Sequence, residues 1–146
     1  MGGVAELLVG SHTNALDSKN RVFVPAALRA DLGDRFMLNR GSDPQYLYIY
    51  PMKEWLAFEE KLAGLPLTQP KYQTIVRYYT EDAVPCELDS QNRILIPQRH
   101  KELAGIDKEV LFIGTIRGVE VWSPERHAAS KNDSIVELLE EVNLSF

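Results

Sequence analysis

Positive charge is scarce in this sequence: 16 Lys and Arg stand against 21 Asp and Glu, a formal net charge of −5 at pH 7. Phosphate neutralisation dominates the affinity of most duplex-binding domains, so the bulk charge points away from nucleic acid. There is one cysteine, Cys86, which excludes an intrachain disulfide and suits a reducing cytoplasm. No apolar run approaches the roughly 18 residues of a membrane span. Met1 to Gly10 carries no Lys or Arg ahead of its short apolar run, so a secretory signal is not expected. His12, His100 and His127 are too far apart for metal-ligand spacing, and Cys86 has no CxxC partner. A glycine-rich phosphate loop and a G-x-S-x-G nucleophile turn are missing as well. Neither an enzyme nor a cofactor or metal is expected.

What is present is ordinary in bulk and uneven in layout. The 146 residues are 45% hydrophobic and 25% charged, which suits one compact unit or two very small ones. Between Ser11 and Arg40, five basic residues (Lys19, Arg21, Arg29, Arg35, Arg40) face three acidic ones (Asp17, Asp31, Asp34). From Lys131 to Phe146, Lys131 faces Asp133, Glu137, Glu140 and Glu141. This layout permits a basic face that the net charge hides.

The chain also repeats itself. Leu16-Asp17-Ser18-Lys19-Asn20-Arg21-Val22-Phe23-Val24-Pro25 matches Leu88-Asp89-Ser90-Gln91-Asn92-Arg93-Ile94-Leu95-Ile96-Pro97, with six of ten positions identical. The offset of 72 holds through Gly33 and Gly105. Asp-Ser-x-Asn is turn chemistry, because Asp and Ser bond nearby backbone N–H groups and Asn tolerates positive φ. The apolar triplets Val22–Val24 and Ile94–Ile96 read as short buried strands. Pro25 and Pro97 are placed to open helices, and Gly33 and Gly105 to end them.

Strands follow at 35–39 and 46–50 in the first copy and at 109–114 and 118–122 in the second. The pattern is hairpin, helix, hairpin, twice over. Between the copies, Trp55, Phe58 and Leu62 share one helix face. Tyr72, Ile75, Val76 and Tyr79 share another, and both helices read as core helices. The amphipathic segment with Ile135, Val136, Leu138, Leu139 and Val142 has an acidic far side. It can pack on its own subunit or on a neighbour.

The twin Leu-Asp-Ser-x-Asn-Arg motifs, each followed by an apolar triplet and Pro, resemble the paired Asp-x-x-x-Arg motifs of the MraZ family, within the AbrB-like swapped-hairpin superfamily. The likeness covers nearly the whole chain. It departs from the family pattern at Asn20 and Asn92, where glycine is common, and at Gln91, which stands where the first copy has Lys19.

The resemblance implies an α+β fold of two tandem AbrB-like β-hairpin/helix/β-hairpin repeats forming an intrachain pseudo-dimeric barrel, with linker helices and a C-terminal helix. It divides the chain into repeat 1 with its following helix (1–64), a linker helix (65–82), repeat 2 (83–130) and an acidic helical tail (131–146). It also implies a DNA-binding transcriptional regulator, cytoplasmic and nucleoid-associated. Family members assemble into rings and bind tandem direct repeats upstream of the division and cell-wall gene cluster. The expected partners are therefore double-stranded DNA and further copies of the chain.

Chemistry alone supports part of that expectation. An arginine just after a tight turn, at the start of a strand, is held rigidly and can bond a phosphate or bridge guanine O6 and N7. Lys19, Arg21 and Arg93 are the leading DNA-binding candidates, with Asn20 in the turn, and Arg29, Arg99 and Lys101 secondary ones on the following helices. Asp17, Asp89 and Asn92 are expected to orient the turns. A second reading stays open: Asp17 and Arg21, four apart, can simply pair and brace the turn, as can Asp89 and Arg93. A protein-interaction module, such as an AbrB-type antitoxin with an acidic C-terminal segment, is the rival function. Its usual single copy sets it apart from this duplicated chain.

Overall fold

The computed structural model describes residues 8–130 and 134–143. Met1 to Leu7, most of the stretch read for a signal, lie outside the described residues, as do 131–133 and 144–146 of the acidic tail. The elements run β1 (Ser11–Ala15), β2 (Arg21–Phe23), α1 (Ala26–Leu32), β3 (Arg35–Arg40), β4 (Leu47–Pro51), α2 (Met52–Ala63) and α3 (Pro70–Thr80). The second copy repeats the order with β5 (Val84–Glu87), β6 (Arg93–Leu95), α4 (Gln98–Ala104), β7 (Glu109–Gly114), β8 (Val119–Trp122) and α5 (Pro124–Ala129), before a final α6 (Ile135–Val142). The chain is α+β with two hairpin-and-helix repeats, as the duplication implied.

The repeats are interleaved, not side by side. The six-stranded sheet runs β1-β7-β8-β4-β3-β5, and β2 and β6 form a separate two-stranded ribbon. Thus β1 of the first copy pairs with β7 of the second, and β5 of the second pairs with β3 of the first, all antiparallel. The hairpin expected from each Asp-Ser turn is therefore exchanged: the arms flanking the turn bond to the other repeat instead of to each other. Val22 lies opposite Ile94, its own counterpart at an offset of 72, with Arg21 opposite Leu95 and Phe23 opposite Arg93. Tyr48 likewise lies opposite its counterpart Glu120 in the β4–β8 pairing. The register is symmetric about these two self-pairs, which is the signature of a pseudo-two-fold relation between the copies.

Alternation along the short strands decides the core. Val22, Val24, Ile94 and Ile96 are buried and join Leu28, Phe36, Leu38, Ile49, Val110 and Phe112 in one cluster. Phe23 and Leu95 do not follow them: they are 51% and 56% exposed. The expectation of uniformly buried triplets fails there, because a strand of period two sends successive side chains to opposite faces.

The helices between the copies divide as well. On α2, Trp55 and Leu62 are buried. On α3 no residue is fully buried and Ile75 is 40% exposed, so α3 lies on the surface and does not form a core helix. It is held by polar ties to β3 and the residue after it: Asn39 donates to the Tyr79 carbonyl at 2.7 Å, and the Tyr78 hydroxyl donates to the Gly41 carbonyl at 2.7 Å. No described residue of α6 is buried, and Ile135, Val136, Leu138, Leu139 and Val142 are all exposed. Among the described residues no helix is long and apolar enough to cross a membrane.

Candidate nucleic-acid interface

The two motif turns are built alike, atom for atom. Asp17 Oδ1 accepts the backbone N–H groups of Lys19 and Arg21, both at 2.9 Å, and Oδ2 accepts Arg21 Nε at 2.8 Å. Asp89 does the same with Gln91 N–H at 2.8 Å, Arg93 N–H at 2.9 Å and Arg93 Nε at 2.9 Å. The backbone closes each turn, with Asp17 N–H donating to Arg21 O at 2.8 Å and Asp89 N–H to Arg93 O at 2.9 Å. Asn20 and Asn92 both sit at φ 62°, a left-handed conformation that Asn tolerates better than other side-chain-bearing residues. The backbone N–H of the following arginine is the main cause that holds each aspartate below the ordinary carboxylate range, and the arginine side chain adds to it. The bracing role of both Asp–Arg pairs is therefore real in this structure.

Bracing leaves the guanidiniums available to different degrees. Each arginine spends its Nε on its own aspartate. Arg93 also reaches Asp17 Oδ2 across the repeats at 3.5 Å. Its side chain is 17% exposed, against 35% for Arg21. The ribbon places these two arginines on its outer face with Phe23 and Leu95, because Val22 and Ile94 fill the inner one.

The turns differ in charge surroundings. Leu16 N–H bonds the Lys108 carbonyl, and in the other copy Leu88 N–H bonds the Asp34 carbonyl. Ala15 lies opposite Glu109, whereas Glu87 lies opposite Arg35. Around the first turn, Asp17, Lys19, Arg21, Lys108 and Glu109 leave a net +1. Around the second, Asp89, Arg93, Asp34, Arg35 and Glu87 leave a net −1. Lys19 is exposed and has no side-chain partner among the described residues.

The other candidates are placed as follows. Asn20 Oδ1 accepts from Lys101 Nζ at 2.9 Å, and Asn20 Nδ2 donates to Gln98 at 3.3 Å, so α4 of the second copy steadies the first turn. Arg29, at the end of α1, is half-buried and in no ion pair among the described residues. Arg99 is engaged elsewhere. With Arg40 it clasps the buried Asp82, and His100 Nε2 bonds the Asp82 carbonyl at 2.7 Å. Hydrogen bonds from Arg99 first, and from Arg40, hold the Asp82 carboxyl down to about 2. This clasp ties the end of α3 to α4 and β3, and spacing along the sequence gave no sign of it. An open cleft of about 430 Å³, floored by Tyr46, Tyr48, Tyr50 and Phe58 beside the Tyr48–Glu120 crossing, also went unforeseen. Among the described residues no group of three or more acidic, His or Cys side chains could hold a metal ion.

Two interleaved copies that present duplicated, aspartate-braced arginines on a shared two-stranded ribbon define a swapped-hairpin protein of the AbrB-like kind. The family model described as "MraZ protein, putative antitoxin-like" matches residues 7–78 and 80–136. The chain is 41% identical over 144 residues to the transcriptional regulator MraZ of Thermoanaerobacter pseudethanolicus, covering 94% of this chain and all of the relative. It is 41% identical over 143 residues to the protein of that name from Clostridium beijerinckii, and 40% over 144 residues to that from Caldicellulosiruptor bescii, with the same coverage. The chain belongs to the MraZ family. Members of this family are regulators, not enzymes.

Proposed function

We propose that this protein is a sequence-specific, DNA-binding transcriptional regulator. In this reading it acts as a ring-shaped homo-oligomer on tandem direct repeats upstream of the division and cell-wall gene cluster, in the cytoplasm at the nucleoid. The observation that carries the reading is the pair of braced arginines, Arg21 and Arg93, on one solvent-facing ribbon in a chain of the MraZ family. Lys19, Arg21 and Arg29 from the first copy and Arg93 from the second contact the duplex, with Asn20 at the turn. Asp17, Asp89 and Asn92 orient the turns. A carboxylate that fixes an arginine's direction improves it as a ligand for phosphate or guanine, so bracing and binding are compatible roles. The charge difference between the turns makes the first copy the stronger contact.

One subunit with a few cationic contacts binds weakly. Linked copies that engage successive boxes gain effective concentration, which supports cooperative binding to tandem sites. The uncovered apolar stripe of α6 supports self-association through the tail, the neighbour-packing alternative. The same stripe with its acidic flank is what an antitoxin reading would use, and recovery of a stoichiometric small toxin in a pull-down would favour that reading. The deciding experiment titrates labelled duplexes carrying one or several candidate boxes at several salt concentrations. Tight, cooperative and salt-sensitive binding to the tandem duplex is expected. Equal and weak binding to all duplexes would refute the reading.

A further inference from the structure

The outer face of the β2–β6 ribbon carries four side chains at the corners of a small patch. Arg21 lies opposite Leu95, and Phe23 lies opposite Arg93, so the two arginines occupy one diagonal and the two apolar groups the other. Exposed apolar residues scattered singly over a surface are ordinary. Phe23 and Leu95 differ in being symmetry counterparts, both more than half exposed, on the same face as the two motif arginines. The Arg93 guanidinium lies 5.9 Å from the Phe23 ring centroid, so charge and apolar surface form one continuous patch. A neighbouring protein surface suited to this patch would have to offer carboxylates and apolar groups together. A DNA major groove offers both phosphate and guanine acceptors for the arginines, and thymine methyl groups for the apolar corners.

We propose that Phe23 and Leu95 are specificity-determining residues that read thymine 5-methyl groups in the major groove, while Arg21 and Arg93 bond guanine or phosphate beside them. This rests on the DNA-binding reading above. The dimensions agree. A two-stranded ribbon fits the roughly 12 Å major groove. Residues two apart on a strand are separated by about 7 Å, close to the rise of two base pairs. Each apolar corner therefore reaches a base about two steps from the one its neighbouring arginine contacts. The buried Val22 and Ile94 beneath fix the height of all four corners.

The test changes first the DNA and then the protein. Duplexes are first selected by the full-length protein from a random-sequence library, and each thymine of the selected box is then replaced by deoxyuridine, which removes the methyl group and leaves base pairing intact. At one or more thymines per box the parent protein should lose about fourfold in affinity per methyl, the worth of one buried carbon group. Phe23→Ala or Leu95→Ala should bind the thymine and deoxyuridine duplexes equally at the position each one reads. Equal binding of both duplexes by the parent at every position would overturn the proposal and leave the DNA-binding reading standing. So would variants that keep the parent's thymine preference, or variants that lose only self-association, which would assign the patch to a second copy. If the parent selects no duplex at all, the DNA-binding reading falls and takes the proposal with it.

Discussion

Replacing Arg21 and Arg93 one at a time by alanine separates contact from bracing, because the structure gives the two arginines unequal shares of each. Arg21 holds one aspartate, is twice as exposed as Arg93 and sits in the net-positive turn. Arg93 holds Asp89 and reaches Asp17, in the net-negative turn. Loss of one phosphate contact lowers the slope of log affinity against log salt by about 0.9. Between 50 and 200 mM salt that slope corresponds to about 3.5-fold, so Arg21→Ala should weaken binding most at low salt and approach the parent as salt rises. The Arg21–Asp17 pair is partly exposed and adds little stability, so the melting temperature of Arg21→Ala should fall by only a few degrees. Arg93→Ala should show the reverse balance. It removes the hydrogen bond to Asp89 and the ion pair with Asp17, so it should lower the melting temperature more than Arg21→Ala does while changing the salt slope less. Fluorescence anisotropy across a salt series, paired with thermal melts, measures both quantities. Variants that melt lower yet bind DNA with the parent's affinity and slope would show that the arginines are turn braces only.

The Asp82 clasp should fail in acid. Its carboxyl is held at about 2 in the folded chain against 3.8 unperturbed, so its contribution is fully present above pH 4 and is lost as pH falls towards 2. Asp82→Asn should melt below the parent at pH 7, and the gap should narrow over that window. A gap independent of pH would contradict the assignment. Gly114→Ala should destabilise by about 1–3 kcal/mol, because a Cβ there runs into the Leu8–Val9 backbone, which cannot move aside as a side chain would; an unchanged melt would refute this. Burial pushes the Cys86 thiol up to about 11, so it should resist a disulfide reagent at pH 8 until the protein unfolds, and rapid labelling of the native protein would contradict the packing. Leu139→Asp in the full-length chain should leave the melt of the subunit fold unchanged while reducing the assembly's size in light scattering. An unaltered assembly would remove α6 from the interface.

The features legible in the sequence were those written into local chemistry. The Asp-Ser-x-Asn turns, the positive φ at Asn20 and Asn92, and the strand order within each copy all follow from short-range preferences that the duplication states twice. The exchange of β1 and β5 between copies was not readable from the residues, because a strand's apolar pattern fixes which face it buries and says nothing about which neighbour it bonds. The exposed Phe23 and Leu95 were readable and were missed. Arg-Val-Phe-Val and Arg-Ile-Leu-Ile already alternate, and period two puts the apolar residue on the arginine's face. α3 shows the opposite error, a helical apolar stripe that tertiary packing leaves half-open and that Asn39, Arg40 and Tyr78 hold by polar contacts. The Arg40–Asp82–Arg99 clasp joins residues 42 and 17 positions apart and had no local signature.

The most direct measurement places a photo-crosslinking side chain at Gln91, in one motif turn, or at Arg117, beside the Tyr48–Glu120 crossing, and irradiates each with the selected tandem duplex. The account predicts capture of DNA from position 91 well above that from position 117. Capture from 117 and none from 91 would mean that the turns face away from the duplex, and the proposed interface would be wrong.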